Sequence, residues 1–227
     1  MLKLSKKGTD LIKYYKRMAK EGYDRIDGIK VQSAYNDFEL QKFRNVVRHN
    51  MQQEEIKTVL DYGGGGSDWD AINFDPVTGK SAKEFFNLEE VNTFEPARSL
   101  LKKVESDCVV CVDVLEHIFV ADIATVVKDL FKLSKKLLVI NVACYKAAAL
   151  LPNGENAHVT VRNPHWWKGV VDTIALDYKD VEVMLICSTT FSSGIIFKTF
   201  KVSEWYSASK FSIDVEGAMF SPTWFVN

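Results

Sequence analysis

Long hydrophobic runs are missing from this chain. Nowhere do roughly 18 apolar residues follow one another without a charge, and the opening MLKLSKKGTDLIKYYKRMAK has no uninterrupted apolar core of signal-peptide length. These absences predict a soluble, cytoplasmic protein without a membrane partner. An excess of either charge is missing too: 29 Lys and Arg stand against 30 Asp and Glu, for a net charge of −1. That balance excludes a global attraction to nucleic acid, although positive charge gathers in the first helix, where a solvated face is the default reading. Cysteine is scarce. Cys108 and Cys111 form a C-x-x-C inside the run DCVVCVDV, which reads as a buried strand. Three-residue spacing on a strand sends the two side chains to opposite faces, so they cannot share one ion. No second close pair and no zinc-finger histidine spacing completes a site, so the spacing predicts no metal. Cys108, Cys111, Cys144 and Cys187 are expected to be buried, reduced and structural.

What is present is enough apolar material for one core: 227 residues, 47% of them hydrophobic. Residues 1–55 read as a polar, helical N-terminal extension packed on the core, with Phe38, Phe43, Val46 and Val47 near helical spacing. From residue 56 to 201, strand-like runs alternate with helical patterns. IKTVLDY, NTFEP, SDCVVCVDV, KKLLVINVAC, VEVMLICS and SGIIFKTFK read as strands; SAKEFFNLEEV, VADIATVVKDLFKLS and PHWWKGVVDTIALDY read as helices. Such alternation predicts an α/β core with mostly parallel strands, helices on both faces and an antiparallel last strand. Pro164 suits a first helical turn. Trp166 and Trp167 fit packing on that helix, since aromatic pairs bury large area in any protein. Residues 202–227 are aromatic but aperiodic and are expected to form a C-terminal tail.

VLDYGGGGSDW puts four consecutive glycines after the first core strand. Glycine permits φ > 0 and removes Cβ atoms that would keep a ligand off the backbone. A dinucleotide loop wants G-x-G-x-x-G, but from Gly63 and Gly65 the third glycine position falls on Asp68. Asp61 before the glycines would oppose a phosphate and suits a cationic ligand, such as the ammonium and sulfonium of S-adenosylmethionine.

VLDYGGGGS resembles the first motif, D-x-G-x-G-x-G, of class I S-adenosylmethionine-dependent methyltransferases, and CVDVLEHI resembles their D-x-L-x-H segment after the fourth strand. The stretch ACYKAAALLPNGENAHVTVRNPHWW is also similar to a loop of little-characterised bacterial and phage methyltransferase-like proteins. The resemblance implies a Rossmann-like fold and a cofactor site made of Asp61, Tyr62, Gly63, Gly64, Gly65, Glu95, Asp113, Val114 and His117. Within it Glu95 would hold the ribose hydroxyls. Two departures stand out. Ser67 occupies the third glycine position, and only residues 96–106 separate Glu95 from Asp107, too few for the family's usual helix and third strand. Conversely, the long connection carrying DWDAINFDPVTGK is expected to form a loop over the cofactor or towards the substrate.

The expected reaction is methyl transfer to an unidentified acceptor, with a small molecule or sugar-like compound favoured. Asp113, His117 and His158 are the candidate catalytic residues, as bases that take a proton from the acceptor. His117 can equally stack on the cofactor or bond a backbone group, and His158 lies in a polar loop of the kind that bears substrate-facing groups. The rival is a methyltransferase fold that binds the adenosyl ligand or scaffolds an assembly without catalysis. A nicotinamide oxidoreductase is disfavoured by Asp61 and the missing third glycine. Nucleic acid is an unfavoured substrate, because no N-P-P-Y signature and no broad basic character are present.

Overall fold

A strand tolerates apolar residues at nearly every position only where both its faces are covered. In the computed structural model, which describes residues 2–32, 39–199 and 205–212, the apolar runs of the chain occupy the middle of one sheet. The elements, in chain order, begin with α1 (Lys6–Glu21), a hairpin of β1 (Tyr23–Asp24) and β2 (Lys30–Val31), and α2 (Arg44–Gln53). Then come β3 (Thr58–Tyr62), α3 (Ala82–Phe86), β4 (Glu90–Phe94), β5 (Ser106–Val112), α4 (Ile123–Leu133) and β6 (Ser134–Ala143). The chain finishes with α5 (Pro164–Ala175), β7 (Glu182–Ser188), β8 (Ser193–Thr199) and β9 (Trp205–Ser212).

The sheet has seven strands in the order β4-β3-β5-β6-β7-β8-β9. Those from β4 to β7 are parallel, β8 runs antiparallel to β7, and β9 pairs antiparallel with β8. The architecture is therefore α/β with a mostly parallel mixed sheet. The antiparallel ending has two strands where one was expected, because β9 emerges from the aperiodic 202–227 stretch and pairs with β8. The rest of that stretch lies outside the described residues, as does Phe38. The N-terminal region is not uniformly helical either: the β1–β2 hairpin interrupts it, and Glu39–Phe43 form a 3-10 turn.

Each face of the sheet carries its own core. On one, Val59, Cys108, Val110, Val139 and Ile186 pack under α2 and α3; on the other, Leu60, Val109, Cys111, Ile140 and Leu185 pack under α4 and α5. Cys108 and Cys111 thus fall on opposite faces, and all four cysteines are free thiols. The helix α4 buries Ile123, Val126, Val127, Leu130 and Phe131, a repeat of three and four residues that lays one stripe on the sheet. The helix α5 starts where Asn163 caps it, its side chain accepting from the Trp166 N–H at 2.9 Å, with Pro164 in the first turn. Trp167 is fully buried, and Trp166 meets it edge-on at 4.9 Å between ring centroids.

Two local features shape the ligand end. The connection from β4 to β5 crosses β3 without a helix; a 3-10 turn at Pro96–Arg98 and the side chain of Lys103 do the covering. Lys103 pairs with Asp129 of α4, and its ammonium lies 4.3 Å over the Phe94 ring. The other feature is α1, whose N-cap Ser5 bonds Asp122 through both its backbone N–H and its hydroxyl, each at 2.7 Å. Gly8 lets that helix settle: a Cβ there would stand 2.2 Å from Asp122 Oδ2. No helix among the described residues is long and apolar enough to cross a membrane.

Candidate functional site

The chain goes from β3 outward to β4, then returns past β3 to β5 and continues through β6 and β7. That reversal opens a crevice beyond the carboxyl ends of β3 and β5, the place where open α/β sheets bind ligands. A cavity of about 1420 Å³ lies there. Its walls include Asp61, Tyr62, Gly63, Gly64, Gly65, Glu95, Asp113, Val114, His117 and His158, so every residue the sequence singled out borders one space. The helix α1 forms a further wall through residues such as Leu11 and Tyr15.

The glycine loop is a tight turn held by its surroundings. Gly63 has φ +79° and donates its N–H to the Phe94 carbonyl at 2.7 Å, while Ser67 N–H bonds the Gly64 carbonyl at 2.8 Å. A Cβ on Gly64 would lie 2.1 Å from Asp61 Oδ2, and one on Gly63 would lie 2.6 Å from a methyl of Val114. These two glycines are therefore required by the protein's own packing. Gly65, at φ +56°, donates its N–H to Glu95 Oε2 at 3.0 Å.

Beneath the loop, Asp61 accepts from the indole N–H of Trp69 at 2.8 Å. Burial pushes its carboxyl up to about 7; the Trp69 bond opposes that shift, and the charge of Glu95 adds to it. Glu95 also sits above the usual carboxylate range, chiefly through burial, against the pull of the Ala97 and Gly65 N–H groups that its two oxygens accept. The Tyr62 hydroxyl is committed elsewhere, donating to Asp129 at 2.9 Å.

The segment after the loop departs from expectation. DWDAINFDPVTGK does not border the cavity; its Trp69 and Phe74 pack into the core with α2 and α3, while residues 70–73 between them are exposed. Trp69 and Phe74 join that core, and Asp75 forms a buried ion pair with Arg44 at 3.0 Å. The indole bond to Asp61 and the Asp75–Arg44 ion pair hold Trp69 and Asp75 in place, and no residue of 68–80 borders the cavity.

At the end of β5, Asp113 adopts a left-handed φ of 57° and is exposed, and a 3-10 turn at Leu115–His117 follows. Glu116 inside that turn is fully buried and accepts from the Ala143 N–H of β6. Burial, reinforced by the Asp113 carboxylate, holds Glu116 well above the carboxylate range. His117 Nδ1 lies 3.0 Å from both the Ala157 carbonyl and the Tyr15 hydroxyl, and that hydroxyl donates to the same carbonyl at 2.7 Å. Burial lowers the His117 pKa to about 4, against the pull of Asp113, so the ring is neutral near pH 7 and a weak base. His158 approaches from the loop after β6, its Nδ1 2.5 Å from the Tyr145 carbonyl and its ring centroid 4.8 Å from that of His117.

Spacing along the chain shows no metal-ligand pattern, yet folding gathers one donor atom each from Asp113, His117 and His158 within 4.8 Å of one another. Residue-by-residue reading also missed Tyr15 and Glu116. Glu116 lies inside the D-x-L-x-H segment and was open to notice; Tyr15 carries no local signal, since its role depends on how α1 docks. Compared with protein-family models, curated proteins and solved structures, the chain shows no match in any of the three.

Proposed function

We propose that this protein is a Rossmann-like S-adenosylmethionine-dependent methyltransferase acting on a small-molecule acceptor. The observation that carries the reading is the convergence of the glycine loop after β3, Glu95 after β4 and Asp113 after β5 on one cavity at the reversal of the sheet. Single-ligand pockets are commonly about 300–1,000 Å³, so a cavity of about 1420 Å³ has room for a cofactor and an acceptor together.

The residues present fit an adenosyl ligand. Glu95 offers carboxylate oxygens to hydroxyls while fixing the loop through Gly65. Asp61 favours a cationic amino acid end, and an approaching positive charge would restore its ionised form. S-adenosylmethionine supplies the activated methyl group; the chain supplies alignment and exclusion of water. His117 is too weak a base near neutrality to carry the reaction by proton removal alone. Lys7, Lys13 and Arg17 of α1 pair with Glu155, Asp10 and Glu21, which supports a solvated face there over an attraction to acidic substrates.

Titration calorimetry with S-adenosylhomocysteine and with NAD tests the reading. Micromolar binding of the first and none of the second is expected. Absence of S-adenosylhomocysteine binding by folded protein would overturn it.

A further inference from the structure

Two histidines and a carboxylate meet in the wall of the cavity, and the bonds of the histidine rings determine what the group can hold. A carbonyl oxygen only accepts, and the Tyr15 hydroxyl spends its hydrogen on the Ala157 oxygen; the bonds of His117 Nδ1 to that oxygen at 3.0 Å and of His158 Nδ1 to the Tyr145 oxygen at 2.5 Å are made by the tautomer with the hydrogen on Nδ1. Both Nε2 atoms are left with a lone pair. Beside them stands Asp113, whose carboxylate oxygens also only accept. One ring nitrogen of each histidine and one carboxylate oxygen of Asp113 lie within 4.8 Å of one another, a group of lone pairs that a cation can bridge.

We propose that Asp113, His117 and His158 bind one divalent transition-metal ion. The donor set is the two-histidine, one-carboxylate combination that leaves coordination positions open. Backbone carbonyls fix each imidazole by its far nitrogen, the arrangement that orients metal-bound histidines elsewhere. The donor atoms lie within 4.8 Å of one another. Ligands bonded at about 2.0–2.2 Å to a common ion stand roughly 3–3.5 Å apart, so small side-chain rotations close the site. Two imidazole nitrogens favour zinc, iron or cobalt over magnesium and calcium, which prefer all-oxygen shells. Because all three residues border the cavity, the open positions are accessible to a ligand with oxygen donors.

The ion site does not rest on the adenosyl reading, and its test uses metal alone. Full-length protein is stripped with a chelator, dialysed and titrated with Zn²⁺, Co²⁺, Mn²⁺ and Mg²⁺ by calorimetry, and the cobalt form is examined by visible absorption. One ion per chain is expected, with Mg²⁺ at least about tenfold weaker and His117→Ala and His158→Ala each weakening Zn²⁺ about 100-fold or more. His165→Ala should leave binding unchanged. Circular dichroism establishes that each variant is folded, and the cobalt spectrum of the wild type reads nitrogen and oxygen ligation without any variant. Adding oxalate to the cobalt form should shift that spectrum; an unchanged spectrum would overturn the open positions. No stoichiometric uptake by the wild type, or undiminished uptake by both folded histidine variants, would overturn the site. Loss of S-adenosylhomocysteine binding with metal uptake intact would count against the methyltransferase reading alone.

Discussion

Asp61 is a residue whose acid chemistry is strongly altered by folding. Its carboxyl titrates near 3.8 in the unfolded chain and near 7 in the folded one, so between those values the native state holds a proton that the unfolded chain has released. Its contribution is full below about pH 4 and is lost as pH rises through 7. Denaturant midpoints at about pH 5 and pH 8 should fall further for the wild type than for Asp61→Asn; equal falls would show that Asp61 is not buried as a neutral acid. The glycine above it answers to geometry. In Gly64→Ala the new Cβ meets Asp61 Oδ2 at 2.1 Å, and either the buried carboxyl or the loop must move. A loss of about 1–3 kcal/mol in unfolding free energy is expected, as for other overpacked sites, together with weakened S-adenosylhomocysteine binding. Asp61 and Gly64 were legible as a strand end and a tight turn. That the turn is tight because a buried carboxyl and a valine occupy the Cβ space was not legible, since Val114 arrives from another strand.

At the scale of elements, the strands and long helices follow from local pattern. Continuous apolar runs became buried parallel strands, and α4 and α5 follow their apolar stripes. The connections are where pattern fell short. Between β4 and β5 the helix is replaced by Lys103, whose ammonium sits between Asp129 and the rings of Phe94 and Tyr62. Lys103→Ala leaves Asp129 with the Tyr62 hydroxyl but without its cation. Chemical denaturation should show a loss of roughly 1–3 kcal/mol, and Lys103→Ala/Asp129→Ala should show the two losses to be non-additive. The stretch after the glycine loop reads from sequence as a cover for the ligand, yet Asp75 finds Arg44 on α2. A buried ion pair between distant segments leaves no periodic trace.

For the whole molecule, the placement of α1 decides how the cavity is closed. It closes the crevice from outside the core, fastened at Asp122 by Ser5, at Glu155 by Lys7 and at Ala157 by Tyr15. Its Leu11 and Met18 also pack on Ala147, Leu151 and Ala157, and a ligand filling the cavity would press on this helix. Hydrogen exchange of the α1 amides should slow on binding of S-adenosylhomocysteine, with little change in β5 or β6, which are buried already. Uniform protection across the molecule, or none in α1, would show that the helix is not a wall of the binding site.

The sequence alone determined the α/β alternation, the strands that form the sheet's interior, the opposed faces of Cys108 and Cys111, and the end of the sheet at which the site lies. Those features depend on periodicity and on residues close together in the chain. Tertiary structure decided the rest: which side chain bonds the buried Asp61, what replaces the missing helix, where α1 docks, and that His158 comes to face His117 and Asp113. Each depends on burial and on partners far apart in sequence, and neither is encoded in any one segment.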